Sequence, residues 1–219
     1  MWDKLPLLSS TLKELILENV QIGTSIIRIT ELFCLETLFI DSEWVEDEFF
    51  LDHIEMKMGN QYYYYSSEQL EEPIELFPGY KLTSLKSLTL KSFATCLAKS
   101  FSFKNQKENH LTSLSLDYDT FCGVTFYENF TFLKKDYFKQ VTNLSIKVKD
   151  NEGYKLKESD LFQFTKLEKL ELHNLHFKEQ EQEKSTFSLL KENATSLIHL
   201  DLVNCNLNLE YLYLCTKIL

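Results

Sequence analysis

The stretch Leu197-Ile-His-Leu200-Asp-Leu202-Val-Asn-Cys205-Asn-Leu207 decides the fold of this chain. It begins with the string L-x-x-L-x-L, in which apolar and polar side chains alternate. Alternation with a period of two residues is typical of a strand that buries one face. The stretch therefore predicts a short β-strand whose leucines face a core.

The same string occurs in six earlier places. These copies are Leu12-Leu15-Leu17, Leu35-Leu38-Ile40, Leu85-Leu88-Leu90, Leu111-Leu114-Leu116, Val141-Leu144-Ile146 and Leu167-Leu170-Leu172. A recurrence of this length is the signature of a repeat architecture. The longest gap lies between the second and third copies, and residues 51–56 (LDHIEM) are a candidate for a degenerate eighth copy.

Helical spacing marks some of the segments between the strings. Apolar residues recur at this spacing within 26–33, 130–138 and 187–190. Strands that alternate with helices must run parallel, and each repeat can bury its leucines only against its neighbours. We therefore expect an α/β solenoid, a horseshoe with a parallel β-sheet on the concave face and helices on the convex face.

The complete pattern resembles that of leucine-rich repeat proteins, L-x-x-L-x-L-x-x-N/C-x-L. Residues 197–207 match it throughout, with Cys205 at the position that takes Asn or Cys. The other copies carry different residues at this position, namely Val20, Glu43, Phe93, Asp119, Lys149 and Leu175. Such irregular repeats are similar to the ribonuclease-inhibitor-like and F-box-associated members.

The resemblance covers nearly the whole chain. It implies a single domain over 1–219, with about seven to eight repeats. It also implies binding of another protein, as in the substrate-recognition repeats of F-box ubiquitin-ligase adaptors. The sequence lacks an F-box, so a link to ubiquitin ligases rests on the style of the repeats alone.

Composition narrows the classes of partner. The net charge is −10, and Arg28 is the only arginine among 23 basic residues, which argues against direct binding of nucleic acid. No apolar run has the length of a membrane span or signal peptide, so we expect no membrane. The five cysteines show no C-x-x-C spacing, which favours free thiols and an intracellular location, in the cytoplasm or nucleus. We interpret the glycosylation sequons at Asn129, Asn143 and Asn193 as accidental.

The sequence contains no motif of catalysis. It has no Ser/His/Asp or Cys/His arrangement, no glycine-rich phosphate loop and no paired-cysteine zinc motif, so we expect neither an enzyme nor a cofactor. One cluster could in principle bind a divalent metal: Glu171, His173, His199 and Asp201, on two adjacent predicted strands. Polar residues are expected at these positions anyway and the donors stand on an open face, so the prediction is that no metal binds.

The x positions of the strings align into rows on the predicted concave face. Small polar side chains dominate the middle of this face, and Lys91, Asp117 and Lys147 alternate in sign, so we expect them to pair laterally. The candidate partner-binding residues on this face are Phe39, Thr89, Ser115, Ser145, Glu171 and Asp201. The alternative is a solvated sheet whose polar groups satisfy one another.

An irregular acidic repeat or insertion occupies about residues 41–80. It contains 11 acidic residues and one basic residue, Lys57. The net charge of this segment is therefore −10, equal to that of the whole chain. Acidic groups steer a basic partner, and aromatic side chains anchor it. The candidate partner-binding residues here are Trp44, Glu46, Asp47, Glu48, Phe49, Tyr62, Tyr63, Tyr64 and Tyr65. The alternative is a solvated insertion whose aromatic rings pack on the neighbouring repeat.

Both ends of the chain are apolar, whereas solenoids need polar capping repeats. We therefore expect this chain to be part of a longer protein, or another chain to cover its ends. The expected function is a protein–protein interaction module that binds a protein with a basic surface. The alternative is a structural subunit of a larger multi-protein assembly with its solenoid ends covered by neighbours.

Overall fold

A computed structural model describes thirteen strands of this chain and the turns next to them. The described residues are 4, 7–22, 24–42, 44–45, 77–78, 82–92, 94, 101–102, 110–118, 138–149, 155–156, 161, 163–177, 193 and 195–205. In chain order the strands are β1 (Glu14–Leu17), β2 (Gln21–Ile22), β3 (Thr37–Ser42), β4 (Trp44–Val45), β5 (Phe77–Pro78), β6 (Ser87–Ser92), β7 (Phe101–Ser102), β8 (Ser113–Tyr118), β9 (Asn143–Val148), β10 (Lys155–Leu156), β11 (Lys169–His173), β12 (His176–Phe177) and β13 (His199–Val203).

Seven of these strands form one parallel sheet, in the order β1-β3-β6-β8-β9-β11-β13. Each of them comes from one of the seven L-x-x-L-x-L strings, and the strands are neighbours in the order of the chain. The predicted parallel sheet of consecutive strands is therefore confirmed. Six short strands form three separate parallel pairs, β2 with β4, β5 with β7, and β10 with β12.

A recurring hydrogen-bond pattern shows that the repeats are equivalent. The carbonyl of the second residue in one string accepts the N–H groups of the second and third residues in the next string. The Lys13 carbonyl, for example, accepts from Glu36 and Thr37, and the Glu168 carbonyl accepts from Ile198 and His199. All six strand interfaces of the main sheet share this pattern.

The gap between the second and third strings adds no strand to the main sheet. β3 pairs directly with β6, and the Glu36 carbonyl accepts from Lys86 and Ser87 as at every other interface. Residues 51–56, the candidate eighth copy, lie outside the described residues. An eighth strand between β3 and β6 is thus excluded from the main sheet.

The core lies along one face of the sheet. Leu38, Leu88, Leu114, Leu144 and Leu170, at the fourth position of their strings, are almost fully buried. The residue at the sixth position of each string is buried as well, except Leu202, which is partly buried. The first residues of five strings are also buried: Leu35, Leu85, Leu111, Val141 and Leu167. Burial of these side chains against neighbouring repeats is the main favourable contribution to folding.

The segment predicted to be helical at 26–33 forms a 3₁₀ helix, Thr24–Glu31. Its buried residues recur every third position, as Ile26, Ile29 and Leu32, and Leu35 continues the series. A 3₁₀ helix has 3.0 residues per turn, so this spacing places all of them on one side. The other two segments with helical spacing lie outside the described residues, apart from Phe138. The elements of the described part of the chain include no α-helix, so the structure does not establish the predicted helices on the convex face.

A turn with left-handed backbone follows several strands. Asn19, Ser92, Asn174 and Asn204 have φ between 52° and 56°, and each stands at the eighth position of its repeat. Asparagine tolerates this conformation better than most residues because its short side chain hydrogen-bonds locally. Within the described residues, no helix is long and apolar enough to cross a membrane.

Candidate functional site

The face of the main sheet opposite the core is the candidate site, here called the front face. It comprises the third, fifth and seventh residues of each string. The register aligns the fifth positions into one continuous row across all seven strands. This row is Ile16, Phe39, Thr89, Ser115, Ser145, Glu171 and Asp201.

The structure brings together all six candidate residues that the sequence placed on this face. Of the candidates in the acidic segment, only Trp44 is described; it lies in β4, opposite Gln21 of β2. Glu46, Asp47, Glu48, Phe49 and Tyr62 to Tyr65 lie outside the described residues.

The middle row of the front face is apolar at its β1 and β3 end. Ile16 is 55% exposed, and its register partner Phe39 lies beside it. The Lys91 ammonium stands 5.2 Å from the centre of the Phe39 ring, within the range of a cation–π interaction. The exposed Ile16 and the half-buried Phe39, with a cation above the ring, offer a partner both contact area and charge.

The centre of the front face carries hydroxyl groups but not the predicted charge pairs. Lys91, Asp117 and Lys147 are aligned by the register as expected. Among the described residues, however, no ion pair joins Asp117 to either lysine. Lys91 turns to Phe39, and Lys147 turns to Glu171 at 3.1 Å. Long lysine side chains reach diagonal neighbours as easily as direct ones, so alignment alone does not decide which charges meet.

Glu171 is the centre of a charged group at the β9, β11 and β13 end. Its Oε1 lies 2.7 Å from Lys169 Nζ, and its Oε2 lies 3.1 Å from Lys147 Nζ and accepts a hydrogen bond from Ser145 at 2.9 Å. The hydrogen bond from Lys169 first, and then those from Lys147 and Ser145, lower the pKa of Glu171 to about 2 although partial burial opposes them. The carboxylate is therefore ionised throughout the physiological range.

Two histidines and a second carboxylate complete this group. His173 Nε2 lies 2.9 Å from Asp201 Oδ2, and His199 Nε2 lies 3.7 Å from Glu171 Oε1. One donor atom each of Glu171, His199 and Asp201 lies within 4.8 Å of the others. The sequence analysis identified these four residues but missed the two lysines on Glu171. Lys169 could have been found, because it is two residues before Glu171 on the same face.

Cys205 occupies the position that takes Asn or Cys in the repeat pattern. Its thiol donates to the Leu172 carbonyl of the neighbouring repeat at 3.1 Å, and burial raises the pKa of this thiol. Cys205 thus links its own repeat to the preceding one by a hydrogen bond to the backbone, which is a structural role. Cys205 and Cys34 are both free thiols.

The architecture defines the class of this protein as a repeat-built parallel sheet, compatible with a leucine-rich repeat solenoid. No family model, no curated protein and no solved structure matches the chain.

Proposed function

We propose that this chain is a leucine-rich repeat solenoid of the irregular, ribonuclease-inhibitor-like or F-box-associated type, and that it binds another protein rather than catalysing a reaction. The observation that carries the proposal is the front face: seven parallel strands hold two rows of side chains aligned across all seven strands and a third row aligned across six. Rigid strands present these side chains at little entropic cost on binding.

The apolar end of the front face and the acidic segment are adjacent in the chain. The segment begins at Asp41, two residues after Phe39, and the chain returns to the sheet at β6, the direct neighbour of β3. The two strands that precede and follow the acidic segment, β3 and β6, are therefore direct neighbours in the main sheet. We infer that the partner has a basic surface, which the segment attracts, and an apolar contact, which Ile16 and Phe39 anchor. The free thiols favour an intracellular setting.

Affinity purification of the tagged full chain from its native cells, with quantitative mass spectrometry, tests this function. Changing Glu46, Asp47 and Glu48 to Lys should reduce capture of the main partner and slow its association with the purified chain. Association of the unchanged chain should slow with added salt, because exposed charges are screened over about 8 Å at physiological ionic strength. Changing Tyr63 and Tyr64 to Ala should instead speed dissociation by removing anchors.

A matched variant on the front face locates the contact. Ser115 and Ser145 changed to Trp fill the hydroxyl centre but leave Ile16, Phe39 and the acidic segment intact. This variant should retain the partner. Loss of the partner in the Trp variant, with normal capture by the charge-reversed variant, would move the site to the centre of the front face and overturn our assignment.

A structural role in a larger assembly is the second candidate, and the last described strand favours it. Leu200 of β13 is 38% exposed, whereas the equivalent residues of the other six strands are buried. Ile198, two residues before Leu200 in the chain, is 86% exposed. A neighbouring subunit could cover this apolar surface. Native mass spectrometry separates the candidates: a fixed stoichiometric assembly indicates a subunit, whereas a cullin-linked adaptor among the captured proteins indicates an F-box-type receptor.

A further inference from the structure

The charged end of the front face carries two donor pairs on adjacent strands. β11 supplies Glu171 and His173, and β13 supplies His199 and Asp201, each pair two residues apart and therefore on one face. The parallel register places Glu171 opposite Asp201. Because the ladder fixes both backbones, only side-chain torsions are needed to adjust the donor atoms.

The distances between these donors are close to those around a bound zinc ion. Zinc binds His nitrogen and carboxylate oxygen at about 2.0–2.2 Å, so two ligand atoms of a tetrahedral site lie about 3.4 Å apart. His199 Nε2 and Glu171 Oε1 are already 3.7 Å apart. One donor atom of each residue lies within 4.8 Å of the other two, so the Asp201 and His199 side chains must rotate for all three donors to bind one ion.

The donor chemistry also suits a divalent cation. Glu171 and Asp201 supply two negative charges, for which the ammonium groups of Lys169 and Lys147 compete with the ion. The mixture of nitrogen and oxygen donors favours zinc over Mg²⁺ and Ca²⁺, which prefer oxygen donors alone.

Lys169 is the group that a cation must displace. It contacts Oε1 of Glu171, the oxygen that faces His199, whereas Lys147 and Ser145 contact Oε2. The Lys169 side chain is 45% exposed and can turn into water. Lys147 and Ser145 can keep their contacts and hold the carboxylate in place.

We propose that Glu171, His199 and Asp201 form a Zn²⁺ site on the front face, with the fourth position open to solvent and with His173 positioning Asp201. His173 holds Oδ2 of Asp201, so Oδ1 is left for the ion. A residue that hydrogen-bonds a metal ligand without binding the metal itself orients that ligand. The open position lets water, or a side chain of a bound protein, complete the tetrahedron.

Isothermal titration of the full chain with ZnCl₂ tests the site, with Mg²⁺ as the comparison cation. The unchanged chain should bind one Zn²⁺ at this site and no Mg²⁺ under the same conditions. His199→Ala and Asp201→Asn should each weaken binding more than about 100-fold, because changes to outer partners alone cost 10- to 100-fold. His173→Gln should fall within that smaller range.

Lys169→Gln provides a test in the opposite direction. Removing the competing ammonium should tighten Zn²⁺ binding, whereas a site that excludes Glu171 would not respond. His110→Ala is the matched control, since it removes an exposed histidine from another part of the chain and should leave the affinity unchanged. Circular dichroism of each variant verifies folding, and Co²⁺ absorption reports tetrahedral coordination independently.

Several results would overturn the proposal. These are no zinc binding by the unchanged chain, undiminished binding by a folded His199→Ala variant, or equal loss in His110→Ala and His199→Ala. An unchanged affinity in Lys169→Gln would remove Glu171 from the site. None of these outcomes bears on protein binding at Ile16 and Phe39, so the proposed function is tested separately.

Discussion

Asn193 joins two repeats through both ends of its side-chain amide. Its Oδ1 accepts from the Leu167 backbone N–H at 2.8 Å, and its Nδ2 donates to the Phe164 carbonyl at 2.6 Å. The residue is fully buried, so the sequon at this position cannot carry a glycan in the folded chain. The interpretation of this sequon as accidental has a physical basis here.

Asn193→Ala should therefore lower the free energy of unfolding by about 2 kcal/mol, because it leaves a buried N–H and a buried carbonyl without partners. Urea denaturation followed by circular dichroism measures the change. Asn143→Ala, on the half-exposed front face, is the control and should cost less than about 0.5 kcal/mol. Equal losses in the two variants would contradict the bridging role.

Glu171 should make stability depend on pH in the acid range. A carboxyl whose pKa is lower in the folded than in the unfolded chain stabilises the fold above the unfolded value, and this contribution is lost as the pH falls through the folded value. For Glu171 the window runs from the ordinary value of 4.5 down to about 2. The contribution of Glu171 should be complete above this window and should be lost within it as the pH falls.

The measurement compares the unchanged chain with Glu171→Gln by urea denaturation between pH 5 and pH 2, with a chelator present. At pH 5 the unchanged chain should be more stable by about 1 kcal/mol, a value that reflects solvent screening of the exposed lysines. The difference should shrink toward pH 2. A constant difference across this range would mean that the lysine contacts do not stabilise the ionised carboxylate.

At the scale of elements, the 3₁₀ helix shows how a three-residue period is used. Ile29 is fully buried at the centre of the series, whereas Phe33 is 49% exposed although it belongs to the same apolar segment. Ile29→Ala should cost about 2–4 kcal/mol through lost burial and a residual cavity. Phe33→Ala should cost well under 1 kcal/mol.

Thermal or urea unfolding of these two variants checks the assignment. A larger loss in Phe33→Ala than in Ile29→Ala would indicate an α-helix with a different buried side. The sequence already contained the decisive signal, because Ile26, Ile29, Leu32 and Leu35 are three residues apart. General helical spacing in the segment does not by itself distinguish a period of 3.0 residues from one of 3.6.

At the scale of the whole molecule, we expect residues 46–76 of the acidic segment to be dispensable for folding of the main sheet. β3 and β6 form the same hydrogen bonds across the insertion as strands joined by shorter connections. Replacing residues 46–76 by a short Gly/Ser linker should therefore leave the sheet folded. Shortening a loop also reduces the entropy cost of closing it, although only by about 0.6 kcal/mol per halving of its length.

The shortened chain should unfold cooperatively with unchanged strand content by circular dichroism, and it should lose the basic partner. Loss of folding would show that the segment contributes to the core. Retention of the partner by a folded shortened chain would place recognition on the front face alone.

The pattern of the repeats was sufficient to predict the seven strands of the main sheet, their order and the residues that share each row, but not the six short strands that pair outside this sheet. Within a strand, the leucines of L-x-x-L-x-L recur every two residues and must face the core. The register is therefore defined by the leucines, and the intervening residues must lie on the front face. The four donors of the charged end followed from this register alone. So did the alignment of Phe39, Thr89, Ser115 and Ser145.

Only the tertiary structure decided the details that depend on distances between side chains and on the course of the connections. Lys147 meets Glu171 rather than Asp117, because long side chains choose among several neighbours at similar separation. The direct pairing of β3 with β6 likewise depends on contacts between residues far apart in the chain. Local periodicity describes which face a residue occupies, but such contacts are selected by the packing of the whole sheet.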